Sequence, residues 1–178
     1  MRVISGRYKG RSIKVPKNFG GRPTTDFARE GLFNVLNNLV EWDELEVLDL
    51  FAGTGAFGIE CYSRGAGSVT FIEFKPLHVN FIQENIRQFD MKQCFALKND
   101  VFKYLEKENK SFDVIFADPP YDLESLSKLP AIIFEGALLQ EEGIFILEHG
   151  RGHDFSDHEH FLQHRVYSNV HFSFFQRK

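Results

Sequence analysis

Hydrophobic and polar positions follow two periods along this chain. Short apolar runs at residues 46–51, 68–73, 94–97, 112–117 and 143–148 alternate with stretches in which apolar side chains recur every three or four positions. The runs predict strands, and the stretches predict helices over 56–64, 76–89, 101–108 and 124–134. Gly65 closes the first of these helices and Pro76 opens the second, as the end preferences of glycine and proline require. Upstream, residues 2–4 and 11–15 predict two short strands with Gly6 and Gly10 punctuating the turn between them. A helix is predicted from Thr25 or Asp26 to about Asn38, with Phe27, Leu32, Phe33, Leu36 and Leu39 on one side. At the end, residues 164–167 and 170–176 predict a hairpin. Strands separated by helices imply right-handed crossovers, so the expected fold is α/β and Rossmann-like, with helices on both faces of a mostly parallel sheet. The closing hairpin adds an antiparallel strand at one edge.

Composition narrows the function classes. A length of 178 residues, 43% hydrophobic and 26% charged, fits one globular domain. No apolar run approaches the roughly 20 residues of a membrane helix. The first residues lack the apolar core of a signal peptide, and the two cysteines, Cys61 and Cys94, form no CxxC pair, so a reducing cytoplasm is expected. The net charge of −4 is unevenly spread: residues 1–25 hold seven bases and no acid, and the remaining fourteen bases face all 25 acids. Bases interleaved with Val3, Ile4, Tyr8, Ile13 and Val15 predict a basic arm over residues 1–22 that meets RNA through Arg2, Arg7, Lys9, Arg11 and Arg22, on a body of residues 23–178. A solvated tail is the plainer alternative.

The first strand runs into Gly53-Thr54-Gly55-Ala56-Phe57-Gly58, at the strand ends where ligands bind in open α/β sheets. Glu73 ends the next strand, where a carboxylate can accept hydrogen bonds from a ribose diol. A nicotinamide dinucleotide would suit these features almost as well. Asp49, four residues before Gly53, tips the balance, because its charge opposes a pyrophosphate and favours a cationic methionine moiety. Asp100 is placed either to reach an adenine amine or to cap the helix beginning at Val101.

Asp118-Pro119-Pro120-Tyr121 follows the fourth strand. The prolines fix the backbone and remove two N–H donors. The Asp118 carboxylate and the Pro119 carbonyl can accept both hydrogens of an amine on a planar base, while Tyr121 stacks on the ring. Pulled toward tetrahedral geometry, that amine exposes its lone pair to a sulfonium methyl, so catalysis rests on positioning and electrostatics and requires no metal.

With these residues in place the chain resembles class I methyltransferases, and more narrowly the bacterial 16S rRNA (guanine(966)-N(2))-methyltransferases. The match is carried by residues 2–6 with Lys9-Gly10-Arg11, by Arg22-Pro23-Thr24-Thr25-Asp26 with Arg29-Glu30, by Asp49-Leu50-Phe51-Ala52-Gly53-Thr54-Gly55 with Gly58, by Ser63-Arg64-Gly65-Ala66, and by Asp118–Tyr121. Tyr167-Ser168-Asn169-Val170 departs from the Tyr-Gly-x-Thr common in that family. The resemblance implies a seven-stranded fold preceded by an N-terminal β-hairpin that contacts RNA. It implies S-adenosylmethionine as methyl donor, held by Asp49, Phe51, Ala52, Gly53, Thr54, Gly55, Glu73 and Asp100, with Thr24 and Thr25 in a segment folded over the pocket. It also implies a guanine N2 amine of 16S rRNA, in a small-subunit assembly intermediate, as target, and a monomeric enzyme. Methylation of adenine N6 or of a protein amide, a nicotinamide-dependent oxidoreductase, and a silent RNA-binding module are the competing functions. The histidines at 153, 158, 160 and 164, with Asp154, Asp157 and Glu159, read as a solvated polar loop rather than a metal centre.

Overall fold

The computed structural model describes residues 1–16, Phe19 and residues 25–177. Seven strands, β1 (Glu46–Leu50), β2 (Ser68–Glu73), β3 (Cys94–Lys98), β4 (Phe112–Ala117), β5 (Leu139–His149), β6 (Phe161–Tyr167) and β7 (Val170–Gln176), form one sheet in the order β3-β2-β1-β4-β5-β7-β6. The first five are mutually parallel, and β7 runs antiparallel between β5 and β6. The closing hairpin therefore inserts its second strand against β5 and leaves its first at the edge. The helices are α1 (Asp26–Leu36), α2 (Ala56–Arg64), α3 (Pro76–Gln88), α4 (Val101–Leu105) and α5 (Leu129–Glu135). No helix among the described residues is long and apolar enough to cross a membrane.

Strand alternation sorts the core into two layers. Val47, Phe71, Phe116, Phe172 and Phe174 join Leu32, Phe33, Phe57 and Ile82 of α1, α2 and α3. Leu48, Ile115, Phe145, Leu147 and Phe175 join Tyr104, Leu129 and Ile133 of α4 and α5. Each fully buried side chain of this size contributes about 1.5–3 kcal/mol. Phe172, Phe174 and Phe175 are wholly inside, which places them in the core rather than against RNA. Registers pairing Leu50 with Ile72 and Ala117, and Ala117 with Leu147, align the carboxyl ends of β1, β2, β4 and β5 along one edge.

Two expectations change. The helix predicted over 124–134 is a 3-10 turn, Leu126–Lys128, followed by α5. Pro130 sits in the first turn of α5, the place where its missing N–H is tolerated, and so sets the start of the helix. The N-terminal β-hairpin is reduced to a short antiparallel pairing rather than two regular strands: the Val3 amide donates to the Arg11 carbonyl at 3.0 Å, and the Gly10 and Ile13 amides to the Val3 and Met1 carbonyls at 2.9 Å. Residues 2 and 12 make an isolated antiparallel bridge, and a 3-10 turn, Gly6–Tyr8, stands between. Beyond Val3 the chain turns onto α2, where the Glu60 carboxylate takes the amides of Ile4 and Ser5 at 2.7 and 2.9 Å. Ser63 accepts the Tyr8 amide at 3.0 Å, and Val3 and Ile13 are buried in the same core layer as α1 and α2.

Gly6 has φ +77°, and a Cβ there would stand 1.8 Å from the Ser63 carbonyl oxygen. Gly6→Ala is expected to cost about 2 kcal/mol or more from left-handed strain and overpacking, which lowers Tm by roughly 4–8 °C in a domain of this size. A thermal melt that matches the parent protein would contradict this close approach.

Candidate active site

The glycine turn leaves β1 under strain. Phe51, a non-glycine residue, sits at φ 56°, and Gly53 and Gly55 follow at φ 53° and 72°. Such backbone costs of order 1–3 kcal/mol at a bulky residue and persists only where its surroundings hold it. Here the Ala52 amide donates to the Ile72 carbonyl at 3.0 Å and the Gly55 amide to the Ala52 carbonyl at 2.7 Å, which fixes the turn against β2.

Asp49 is buried beneath this turn. Its carboxylate accepts the Gly58 amide in the first turn of α2 at 3.0 Å, where the helix dipole favours an anion. Burial nevertheless pushes its carboxyl well above the usual 3.8, and the negative charge of Glu73 adds to the shift. Glu73 is oriented at both oxygens: the Gly53 amide donates to Oε2 and the Lys75 amide to Oε1, each at 2.8 Å. Those bonds aim the carboxylate toward the glycine turn and leave lone pairs on both oxygens for a diol. His78 stands behind it, Nδ1 at 3.6 Å from Oε2, while Nε2 meets the Phe19 carbonyl at 2.7 Å and its ring stacks on Phe19 at 3.9 Å.

Asp118 follows β4, its amide donating to the Leu50 carbonyl at 3.4 Å. Burial first, then the charges of Glu148 and Asp49, push its carboxyl well above the usual aspartate value. Tyr121 is 45% exposed, so its ring offers a free face, and it donates its hydroxyl to Glu148 Oε1 at 3.0 Å. The same ring lies against Gly150, where a Cβ would come within 3.3 Å. Tyr121 itself is pushed upward by burial and by Glu148.

The structure thus gathers Asp49, Phe51–Gly55, Glu73 and Asp118–Tyr121 at the aligned strand ends. Asp100 begins α4 and accepts the Lys103 amide at 3.0 Å, so its helix-capping role is present. Thr25 caps α1, its hydroxyl accepting from Ala28 at 3.2 Å, and the neighbouring Asp26 pairs with Arg29 at 2.9 Å. Thr24 and Arg22 lie outside the described residues. Met1 reaches the turn, where the Thr54 hydroxyl donates to its sulfur at 3.7 Å. Arg2, Arg7, Lys9 and Arg11 are exposed on the segment that runs along α2. The Arg7 guanidinium lies 4.7 Å over the Tyr62 ring, and Arg11 lies 5.1 Å over Phe89. Arg7 therefore sits toward the far end of the nine-residue α2, about 10 Å along it from the glycine turn, and Arg11 at the carboxyl end of α3.

Two residues escaped the sequence reading. Glu148, the penultimate residue of β5, stands beside Asp118 and accepts the Tyr121 hydroxyl; its signal was an acid at the end of an apolar run, the same signal that singled out Glu73. Phe74, 66% exposed and next to Glu73, offers a bare ring at the same rim; as one of 20 phenylalanines it carried no distinguishing pattern. Among the described residues no group of three acidic, histidine or cysteine side chains is arranged to hold a metal ion. His149, His164 and His171 instead pack ring against ring, at 5.1–5.7 Å.

Known proteins share this arrangement of chain and fold. The chain is 37% identical over 155 residues to the "Putative rRNA methyltransferase YlbH" of Bacillus subtilis, covering 85% of this chain and 83% of that protein. It is 30% identical over 148 residues to ribosomal RNA small subunit methyltransferase D of Escherichia coli, covering 83% and 74% of the two chains. The solved structure of the "Putative methyltransferase yhhF" of Escherichia coli superposes with a TM-score of 0.88 at 27% identity, over 100% of this chain and 98% of that one. The family model described as Conserved hypothetical protein 95 matches residues 1–176, and the chain belongs to that family.

Proposed function

We propose that this protein transfers a methyl group from S-adenosylmethionine to the N2 amine of a guanine in small-subunit ribosomal RNA. The observation that carries this reading is the alignment of Glu73, Asp49 and Asp118 at neighbouring strand ends around a strained glycine turn, in a chain related over most of its length to small-subunit rRNA methyltransferases.

The residues present fit the donor. Asp49 and Glu73 are buried acids whose hydrogen bonds come from the backbone amides of Gly58, Gly53 and Lys75, a setting that a cationic amino-acid sulfonium suits and a pyrophosphate aggravates. Glu73 would hold the ribose hydroxyls, the backbone of residues 51–55 the methionine portion, and the exposed Phe74 ring the flat heterocycle. When bound, S-adenosylmethionine supplies a methyl group on a positively charged sulfur. The chain's own part is to present the amine. Asp118 and the Pro119 carbonyl accept its two hydrogens, and Tyr121, its orientation set by Glu148, stacks on the base. A carboxylate of raised basicity beside the nitrogen is also the group to take the proton that leaves once nitrogen has become positively charged. The base must leave its stack to reach this edge, which costs a few kcal/mol and less in a loop. Guanine 966 and a partly assembled subunit are the specific target and setting in this proposal, with a monomer as the working species, and the exposed bases of residues 2–11 hold the surrounding RNA.

Incubation with labelled donor and either naked 16S rRNA or partly assembled subunits, followed by nucleoside analysis, is expected to yield N2-methylguanosine; N6-methyladenosine would favour the adenine alternative, and no labelled RNA would overturn the proposal. Asp118→Ala is expected to slow transfer by about 100-fold or more while calorimetry shows donor binding largely kept, and normal turnover would remove the role given to Asp118. Because Asp118 must be ionised to accept the amine hydrogens, and its carboxyl titrates well above 3.8, the single-turnover rate is expected to fall on acidification through a limb displaced above the ordinary aspartate range. A limb near the ordinary value contradicts this assignment. Reversing the charges of Arg7, Lys9 and Arg11 is expected to weaken RNA binding and to flatten its salt dependence by about one unit of slope for each residue that meets a phosphate; unchanged affinity refutes the RNA role of this segment.

A further inference from the structure

Past the end of β5 the chain runs by the Tyr121 ring and into the wall of a histidine-lined cavity. Gly150 lies against that ring. Arg151, one Cα step of about 3.8 Å further on, lines a cavity of about 240 Å³ with His153, Asp154, His164, His171 and Ser173. Three strands build the wall: His149, the last residue of β5, pairs with His171 of β7, and His164 of β6 pairs with Ser173. The cavity is therefore on the β5 side of the site, across β1 and β4 from the α2 and α3 positions of Arg7 and Arg11.

The hydrogen bonds around this cavity leave donors over. His149 donates from Nδ1 to the Gly150 carbonyl at 2.8 Å, and burial holds its pKa down at about 4. The ring is thus neutral, and its Nε2 accepts the Ser173 hydroxyl at 2.8 Å. His164 Nε2 and His171 Nδ1 share one hydrogen at 3.1 Å, and His171 Nε2 is buried without a hydrogen-bond partner among the described residues. Arg151 is exposed, gives one N–H to the Asn169 side-chain oxygen at 3.2 Å, and makes no ion pair among the described residues. A guanidinium carries five N–H donors, so most of them stay free. Burial and then the charges of His164 and Arg151 lower the pKa of His171, the mark of cationic groups converging on one place. One acid, Asp154, stands against them, with its Oδ1 on the Ser156 amide at 2.9 Å.

We propose that this cavity holds a phosphodiester of the substrate RNA, one next to the nucleotide whose base lies on Tyr121, with the Arg151 guanidinium as its principal grip. The inference rests on the proposed RNA substrate and adds the group that fixes the strand where the base is turned out. A flipped nucleotide stays tethered through its sugar to a phosphate on either side, so a base on Tyr121 brings a phosphate to the rim at Gly150. A planar guanidinium matches two phosphate oxygens with two parallel N–H bonds, and the imidazole N–H groups add donors while Asp154 opposes the ligand's charge. Stacking on a half-exposed ring leaves a base free to slide, and a backbone clamp one residue away removes that freedom before transfer. Phosphate contacts fix register and carry no base information, so this site positions the nucleotide and leaves its selection to the groups that meet the amine.

The test removes one charge from each partner in turn. A short RNA hairpin carrying the target guanine is made with its ordinary backbone and with an uncharged methylphosphonate at the linkage on either side of that guanine. Equilibrium binding to the full chain, with S-adenosylhomocysteine present, is measured for the parent, Arg151→Gln and Asp154→Asn, each first shown to be folded by a thermal melt. The parent is expected to lose about 10-fold in affinity when one of the two linkages is neutralised, the worth of a hydrogen-bonded pair of charges. Arg151→Gln is expected to lose about as much on the ordinary RNA, to flatten the salt dependence by about one unit of slope, and to lose nothing further at that linkage. Asp154→Asn removes the opposing acid and is expected to bind several-fold more tightly, an effect that damage to the cavity would not produce. A parent indifferent to charge at both linkages overturns the inference, and so does an Arg151→Gln that binds as the parent does or that still suffers the full loss on modification. A parent with no measurable affinity for RNA would instead remove the RNA substrate on which the inference stands.

Discussion

Four acidic side chains, Asp49, Glu73, Asp118 and Glu148, meet at the carboxyl ends of four adjoining parallel strands, and the geometry of the site follows from holding them there. Like charges at low solvent exposure repel, and burial disfavours each ionised form. The fold offsets part of that cost with backbone donors: Gly58 serves Asp49, and Gly53 and Lys75 serve Glu73. Tyr121 serves Glu148. Asp49, Glu73 and Asp118 suit ligands that bring positive charge and N–H or O–H donors, and on the proposed activity these are a sulfonium, a ribose diol and the amine edge of a guanine.

The four acids divide into two pairs. Asp49 and Glu73 flank the glycine turn, where Phe51 and Gly53 take left-handed backbone to bring amides and carbonyls close to a ligand. Asp118 and Glu148 lie on the other side of β1, where β4 and β5 run together. Because β1 and β4 are neighbours, the two pairs stand a single strand spacing apart, and a donor on one side and a base on the other would place their reacting atoms near the Asp118 carboxyl. The sheet register, rather than any loop, sets that alignment.

Much of this was legible in the sequence because parallel strands buried on both faces write continuous apolar runs, and the residues at their ends stand out as polar. Asp49, Glu73 and Asp118 were found that way, as was the α/β alternation. Glu148 carries the same signal at the end of its apolar run, but its bond to Tyr121 and its place beside Asp118 depend on the β4–β5 register, which no local pattern encodes. The N-terminal hairpin is shorter than its sequence pattern for a related reason. Residues 2–4 and 11–15 have the period of strands, but Glu60, more than fifty positions away, captures two amides and holds the segment against α2. The late start of α5 at Leu129 shows the reverse case, in which Pro130 carried the signal in plain view and the apolar spacing of its neighbours outweighed it.

The most direct measurement is a crystal structure of the protein with S-adenosylhomocysteine and guanosine. The expected density places the guanine ring on Tyr121 with N2 within hydrogen-bonding reach of Asp118 and the thioether sulfur on the opposite side of N2. A guanine bound with its O6 edge toward Asp118, or a thioether directed away from Asp118, would contradict the central claim that this strand-end acid grips the amine beside the methyl donor.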